Sequence, residues 1–158
     1  MRILVCTFIF LVTSICYSQD LVTGFYMESD SVSLVNLINV ETKEVVALEP
    51  KPIFTIDNIE SMTKGFSMHN EPVIIFKLDV LGAEFLKKVS KEANGRRMAL
   101  VIDDKVLSTA YIYFEISGGV FELSGIDLKK QSAMLNKLQS EKQLSNKKSY
   151  QDEKDSNE

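Results

Sequence analysis

Residues 73–114, VIIFKLDVLGAEFLKKVSKEANGRRMALVIDDKVLSTAYIYF, decide the fold. Val73 to Leu78 is a nearly continuous apolar run, as a strand covered on both faces requires. Asp79 follows as a helix N-cap, and the spacing predicts a helix through Ala93. Leu81, Phe85, Leu86, Val89 and Ala93 form its apolar stripe, with Glu84, Lys87, Lys88, Lys91 and Glu92 facing water. Asn94-Gly95 closes the helix in a left-handed turn. Met98 to Ile102 then reads as a strand, Asp103-Asp104 as a tight turn, and Val106 to Phe114 as the returning strand. A strand, a helix and a hairpin in this order set an α+β class.

The flanks extend that pattern. Downstream, Gly118-Gly119 permits a bend before a strand at Val120 to Leu123. Gly125 and the cap Asp127 introduce a helix that turns Leu128, Met134, Leu135 and Leu138 inward. Upstream, residues 19–56 read as a β-rich segment. Its strands run around Val22, Phe25 and Met27, from Val35 to Val40, and from Val45 to Leu48, with a hairpin turn at Glu41 to Glu44. Ile56, Ile59, Met62 and Phe66 recur at helical spacing, and Asp57 with Glu60 resembles a capping box, so a short helix is expected there. The expected architecture is a mixed, mainly antiparallel sheet with helices packed on one face, residues 57–138 forming one domain with the preceding strands.

Both ends differ in character. Arg2, the uncharged apolar run from Ile3 to Cys16, and the small residues Cys16 and Ser18 around Tyr17 describe a secretory signal peptide over residues 1–18, cut before Gln19. The run is shorter than the roughly 20 residues a bilayer span needs. Acylation at Cys16 ranks second, because Ile15 is bulky where a lipoprotein signal wants a small residue. Both cysteines, Cys6 and Cys16, leave with this segment. The expected location is extracytoplasmic, with no disulfide and no thiolate site. Residues 139–158 are almost wholly polar, Leu144 and Tyr150 excepted, and read as a disordered tail.

Charge and chemistry exclude several functions. The chain carries 18 Lys and Arg against 22 Asp and Glu, so no cationic surplus is available to neutralise nucleic-acid phosphates. His69 is the sole histidine and falls in a loop, where it reads as a solvated side chain rather than a general base. Asp103 and Asp104 fit turn chemistry better than a carboxylate pair. Gly118, Gly119 and Gly125 lack dinucleotide-loop spacing, and Arg96 and Arg97 read as surface charges. No enzyme, cofactor, metal or small-molecule substrate is expected.

Tyr111 and Tyr113 share one strand face with Leu107 and Thr109. Open, that face suits extended or apolar peptide segments; covered by a helix, the tyrosines are core residues with their hydroxyls at the rim. Both readings stand, with the core reading preferred. The same two readings apply to the N-terminal strands, whose edges could accept a partner strand. The candidate binding residues are Tyr111, Tyr113, Gly118 and Gly119.

Residues Asn94-Gly95-Arg96-Arg97-Met98-Ala99-Leu100-Val101-Ile102-Asp103, then Ile116-Ser117-Gly118-Gly119, then Leu123-Ser124-Gly125, carry a resemblance. With Pro72 to Phe85, which includes Gly82, Ala83 and Phe85, they look like the head subdomain of the SecD/SecDF protein-export accessory subunit. Gly95, Arg96, Ala99, Asp103, Gly118, Gly119, Ser124 and Gly125 match its structural motif words. Two positions depart from the pattern: Asp104 stands where the family has Gly, and Ala110-Tyr111 where it has Ala-Pro. The resemblance implies a free-standing head-like module, without the family's base subdomain or membrane spans. It would contact unfolded polypeptide or membrane-bound export machinery, and it cannot drive translocation itself. A structural envelope protein that keeps the fold without the export role is the alternative.

Overall fold

A computed structural model describes residues 21–29, 35–93 and 95–155. The signal peptide expected over residues 1–18, with Cys16 and the cut after Ser18, lies outside the described residues, as does Asn94 of the turn after the first helix. Nine strands and two helices are present among the described residues. They are β1 (Gly24–Met27), β2 (Val35–Ile38), β3 (Val45–Leu48), β4 (Phe54–Thr55), β5 (Ile59–Phe66), β6 (Pro72–Leu78), α1 (Val80–Glu92), β7 (Arg96–Ile102), β8 (Lys105–Ile112), β9 (Val120–Leu123) and α2 (Leu128–Asp155).

The α+β class holds, but the strands divide into three sheets rather than one. The first has the order β4-β1-β7-β8, the second pairs β2 with β3, and the third has the order β5-β6-β9. Every ladder is antiparallel. The parallel element is a single bridge between Asn39 and Val106.

Burial on both faces explains the unbroken apolar run of β7, whereas β6 leaves Ile75 half-buried and Lys77 exposed. In β7, Met98, Leu100 and Ile102 point into the main core, while Ala99 and Val101 point the other way, under Val46 and Leu48 of the β2–β3 hairpin. The main core also receives Leu86 and Ala93 of α1 and Met134, Leu135 and Leu138 of α2. Both helices therefore lie on one side of the four-stranded sheet, and the hairpin covers the other. A phenylalanine cluster joins the two larger sheets. Phe25 meets Phe54, Phe76 and Phe121 at 4.9, 5.4 and 5.3 Å between ring centroids, each pair worth roughly 0.5–1.5 kcal/mol beyond its buried area.

Local signals set several boundaries as expected. The Asp79 carboxylate accepts the Gly82 N–H at 2.7 Å and starts α1. Asp103 and Asp104 have φ of 49° and 54°, the pair of left-handed residues that a two-residue hairpin turn requires. Asp tolerates this conformation, and Asp104 Oδ1 also accepts the Leu21 N–H at 2.8 Å.

Four expectations are corrected. Residues 59–66 form strand β5, hydrogen-bonded to β6 along its length, and not a helix. Only a 3-10 turn at Ile56–Asn58 remains, with its capping box at Thr55 and Asn58. The periodic apolar residues fit either structure, and the long-range hairpin wins over a weakly capped sequence containing Thr63 and Gly65. In α1 the buried stripe is Gly82, Leu86 and Ser90, while Leu81 and Phe85 are exposed. Leu128 is likewise exposed, and Gln131 takes the inward position in α2. Finally, α2 continues to Asp155, where disorder is expected from residue 139. Its added turns are rich in helix-forming Lys, Gln and Glu; Glu141 accepts from the Thr23 hydroxyl, and Lys142 and Ser145 donate to Glu60 and Asp57, tying the first of these turns to the body.

Candidate peptide-binding face

Tyr111 and Tyr113 emerge where β8 runs past the end of its cover. A register shift opposite Leu100 and Val101 places Thr109 across from Ala99 and Tyr111 across from Arg97, on the face that the β2–β3 hairpin packs against. The hairpin's apolar residues cover Ala99, Val101 and Val106, and its Glu44 carboxylate reaches on to Arg97 Nη1 at 4.0 Å. Tyr111 and Tyr113 are 56% and 58% exposed, which settles against the core reading. Their rings stack at 5.7 Å with a 21° interplanar angle.

Arg97 anchors this pair. Its guanidinium carbon lies 5.9 Å from the Tyr111 ring centroid, within cation–π range. Glu28, just past β1, grips the same guanidinium with both carboxylate oxygens, Nε donating to Oε2 and Nη2 to Oε1. That forked bond, the largest influence on the group, raises the Arg97 pKa still further, so the cation under the ring is permanent. Beside it, Arg96 Nη2 donates to Glu49 Oε1 at 2.6 Å and to the Glu28 carbonyl at 2.8 Å. Glu28, Glu49, Gly95, Arg96, Arg97 and Tyr111 line an open depression of ≈ 540 Å³. Its two cations are each bound to a carboxylate, which leaves the floor nearly charge-neutral, with Tyr111 the aromatic side chain that lines it.

The four expected binding residues do not form one site. Gly119 has φ of +64°, and a Cβ there would lie 2.7 Å from the Ala83 Cβ, so this bend exists to pack against the start of α1. Its carbonyl also accepts the Leu78 N–H at 2.8 Å. The tyrosines sit near the other end of that helix, where Gly95 N–H reaches the Ile112 carbonyl at 2.7 Å. Helical rise alone puts about 15 Å between Ala83 and Ala93. Gly118 and Gly119 therefore drop out of the binding face.

Sequence reasoning missed Glu28 and treated Arg97 as a plain surface charge. Their pairing joins residues 69 positions apart, and no local pattern marks it. Of the motif residues, Ala99 is buried beneath the hairpin, Asp103 pairs with Lys137 at 2.8 Å, and Ser124 is exposed. His69 is exposed in the turn between β5 and β6. Among the described residues no group of three His, Cys, Asp or Glu is placed to hold a metal ion.

Residues 31–141 match the family model of the SecDF P1 head subdomain. The chain belongs to this family. It is 34% identical over 67 residues to the protein translocase subunit SecD of Calditerrivibrio nitroreducens, covering 42% of this chain and 13% of that protein. To SecD of Treponema pallidum it is 27% identical over 95 residues, 60% of this chain and 16% of that protein. The match thus spans less than a fifth of either SecD.

Solved structures agree on the fold. Similarity to a structure of SecDF, a membrane component that enhances protein export, gives a TM-score of 0.58 at 20% identity, over 77% of this chain and 63% of that one. SecDF in its super-membrane-facing form gives 0.59 at 17% identity, over 74% and 18%. Among the described residues of this P1 head chain, no helix is long and apolar enough to cross a membrane.

Proposed function

We propose that this chain is a non-enzymatic binding module that works outside the cytoplasm and holds unfolded polypeptide at the Tyr111–Tyr113 face, in the service of protein export. The exposed, stacked tyrosine pair carries this reading. A protein that needed those rings only for its own stability would bury them, and here they stand on a prepared support of Arg97 and Glu28. Membership in the P1 head family supports an export setting, and the signal-like residues 1–18 support an extracytoplasmic one.

Such a site holds without pulling. Covering the exposed parts of two tyrosines contributes roughly 2–4 kcal/mol, which gives weak, quickly reversible binding. The neutralised floor makes affinity nearly independent of salt, with a change of less than about threefold from low to high ionic strength. A membrane-bound export partner is the other occupant of the same class.

The test is a titration of residues 19–158 with a reduced, alkylated protein that cannot refold, alongside the double variant Tyr111→Ser, Tyr113→Ser. The variant should unfold at the same denaturant concentration, because both rings are exposed, and bind at least about tenfold more weakly. If wild-type protein binds no unfolded chain, the binding reading falls and a purely structural role takes its place.

A further inference from the structure

We propose that an extended segment of the bound polypeptide adds as a strand to the outer edge of β8, beside Tyr111 and Tyr113. This rests on the binding reading above and names how the chain is held. β8 is the last strand of its sheet. Its inner edge pairs with β7 from Arg96↔Ile112 to Ile102↔Lys105. On its outer edge Val106 meets Asn39, and the Val106 carbonyl accepts the Val40 N–H at 2.9 Å. Beyond Val106, no strand among the described residues pairs with that edge.

Edge strands are ordinarily blunted by Lys, Pro or an inward charge, because their open N–H and C=O groups recruit other strands. Here Val106 to Phe114 contains no charge and no proline. Its Val, Thr, Tyr and Ile residues favour the extended state. The edge is also bounded. The Asn39 bridge closes one end, and after Ile112 the chain leaves the sheet towards α1, where Ile116 N–H reaches Ser90 Oγ at 2.9 Å. About five residues remain open, roughly 17 Å of strand.

These features select the occupant. A row of backbone donors and acceptors is satisfied by another backbone, and the uncharged edge fits an uncharged segment. The tyrosine pair favours aromatic or aliphatic side chains at alternate positions. A second copy of this chain is a poorer occupant, because so short a ladder falls below the roughly 1,000 Å² a stable interface needs. A transient grip on a passing chain needs less.

The experiment measures binding of a dye-labelled octapeptide of alternating Phe and Thr by fluorescence anisotropy, in three forms. One is unmodified, one is N-methylated at the odd amides and one at the even amides. A strand offers only alternate N–H groups to the edge it joins. Methylation in one phase should therefore weaken binding at least about tenfold, and in the other less than about twofold. Equal affinity of all three forms overturns strand addition while leaving side-chain capture by the tyrosines intact. Failure of the unmodified peptide and of an unfolded protein to bind overturns the binding reading and this inference with it. A free protein that sediments as a dimer which the peptide does not dissociate would assign the edge to a second copy, and would also overturn it.

Discussion

Gln131 occupies a position in α2 that a pattern of apolar residues would assign to leucine. It is 3% exposed, and its Nε2 donates to the carbonyls of Gly65 at 3.0 Å and Val73 at 2.7 Å. One side chain thus satisfies backbone acceptors on both β5 and β6. Gln131→Ala should cost about 2–3 kcal/mol, since it opens a void and strands two carbonyls; urea denaturation measures this, and a loss below about 0.5 kcal/mol would contradict the assigned role. Tyr26 carries a different signature. It is 1% exposed and donates to the Val22 carbonyl at 2.7 Å. Burial, reinforced by the Asp104 carboxylate, raises its pKa above 10.0. The native phenol therefore keeps its proton where the unfolded chain has begun to lose it. That contribution is complete below pH 10 and disappears as pH rises through the native value. Tyr26→Phe should show a shallower fall in unfolding free energy above pH 10, and parallel falls in the two proteins would refute the assignment.

At the scale of elements, what could be read in advance follows from where the information lies. β6, α1, β7 and β9 announce themselves through apolar runs, a capping Asp79 and the Asp103-Asp104 turn, all local features. β5 does not, because Ile59, Met62 and Phe66 satisfy a helical spacing and only the partner strand decides between the two forms. The same holds for the binding face. Tyr111 and Tyr113 share a face by simple alternation, but their exposure depends on how far the distant β2–β3 hairpin, Val35 to Leu48, extends over the sheet. The far end of α2 departs from expectation for a related reason. Its composition lacks apolar residues, yet Glu141 reaches Thr23 at 3.1 Å, Lys142 reaches the Glu60 carbonyl at 3.4 Å, and Ser145 bonds Asp57. Ending the chain at Ser149 should leave stability within about 0.5 kcal/mol of wild type, while ending it at Ser140 should cost about 1–2 kcal/mol. Equal stability of the two truncations in thermal melts would mean that these polar ties contribute nothing.

For the whole molecule, the division of labour between the two faces of the four-stranded sheet organises the account. One face carries both helices and the phenylalanine cluster, and holds the larger core. The other is covered by the apolar residues of the β2–β3 hairpin as far as Ala99, and beyond it stand Glu28, Arg97, Tyr111 and Tyr113. The proposed binding surface lies on the part of the sheet that the main core does not use, so its side chains can change without unfolding the domain. The most direct test is an amide-resolved NMR titration of residues 19–158 with a reduced, alkylated protein that cannot refold. The account predicts fast-exchange shifts concentrated on Glu28, Arg97 and β8 through Tyr113, with the helices unmoved. Shifts centred instead on the exposed Leu81 and Phe85 of α1, or no shifts at all, would contradict it.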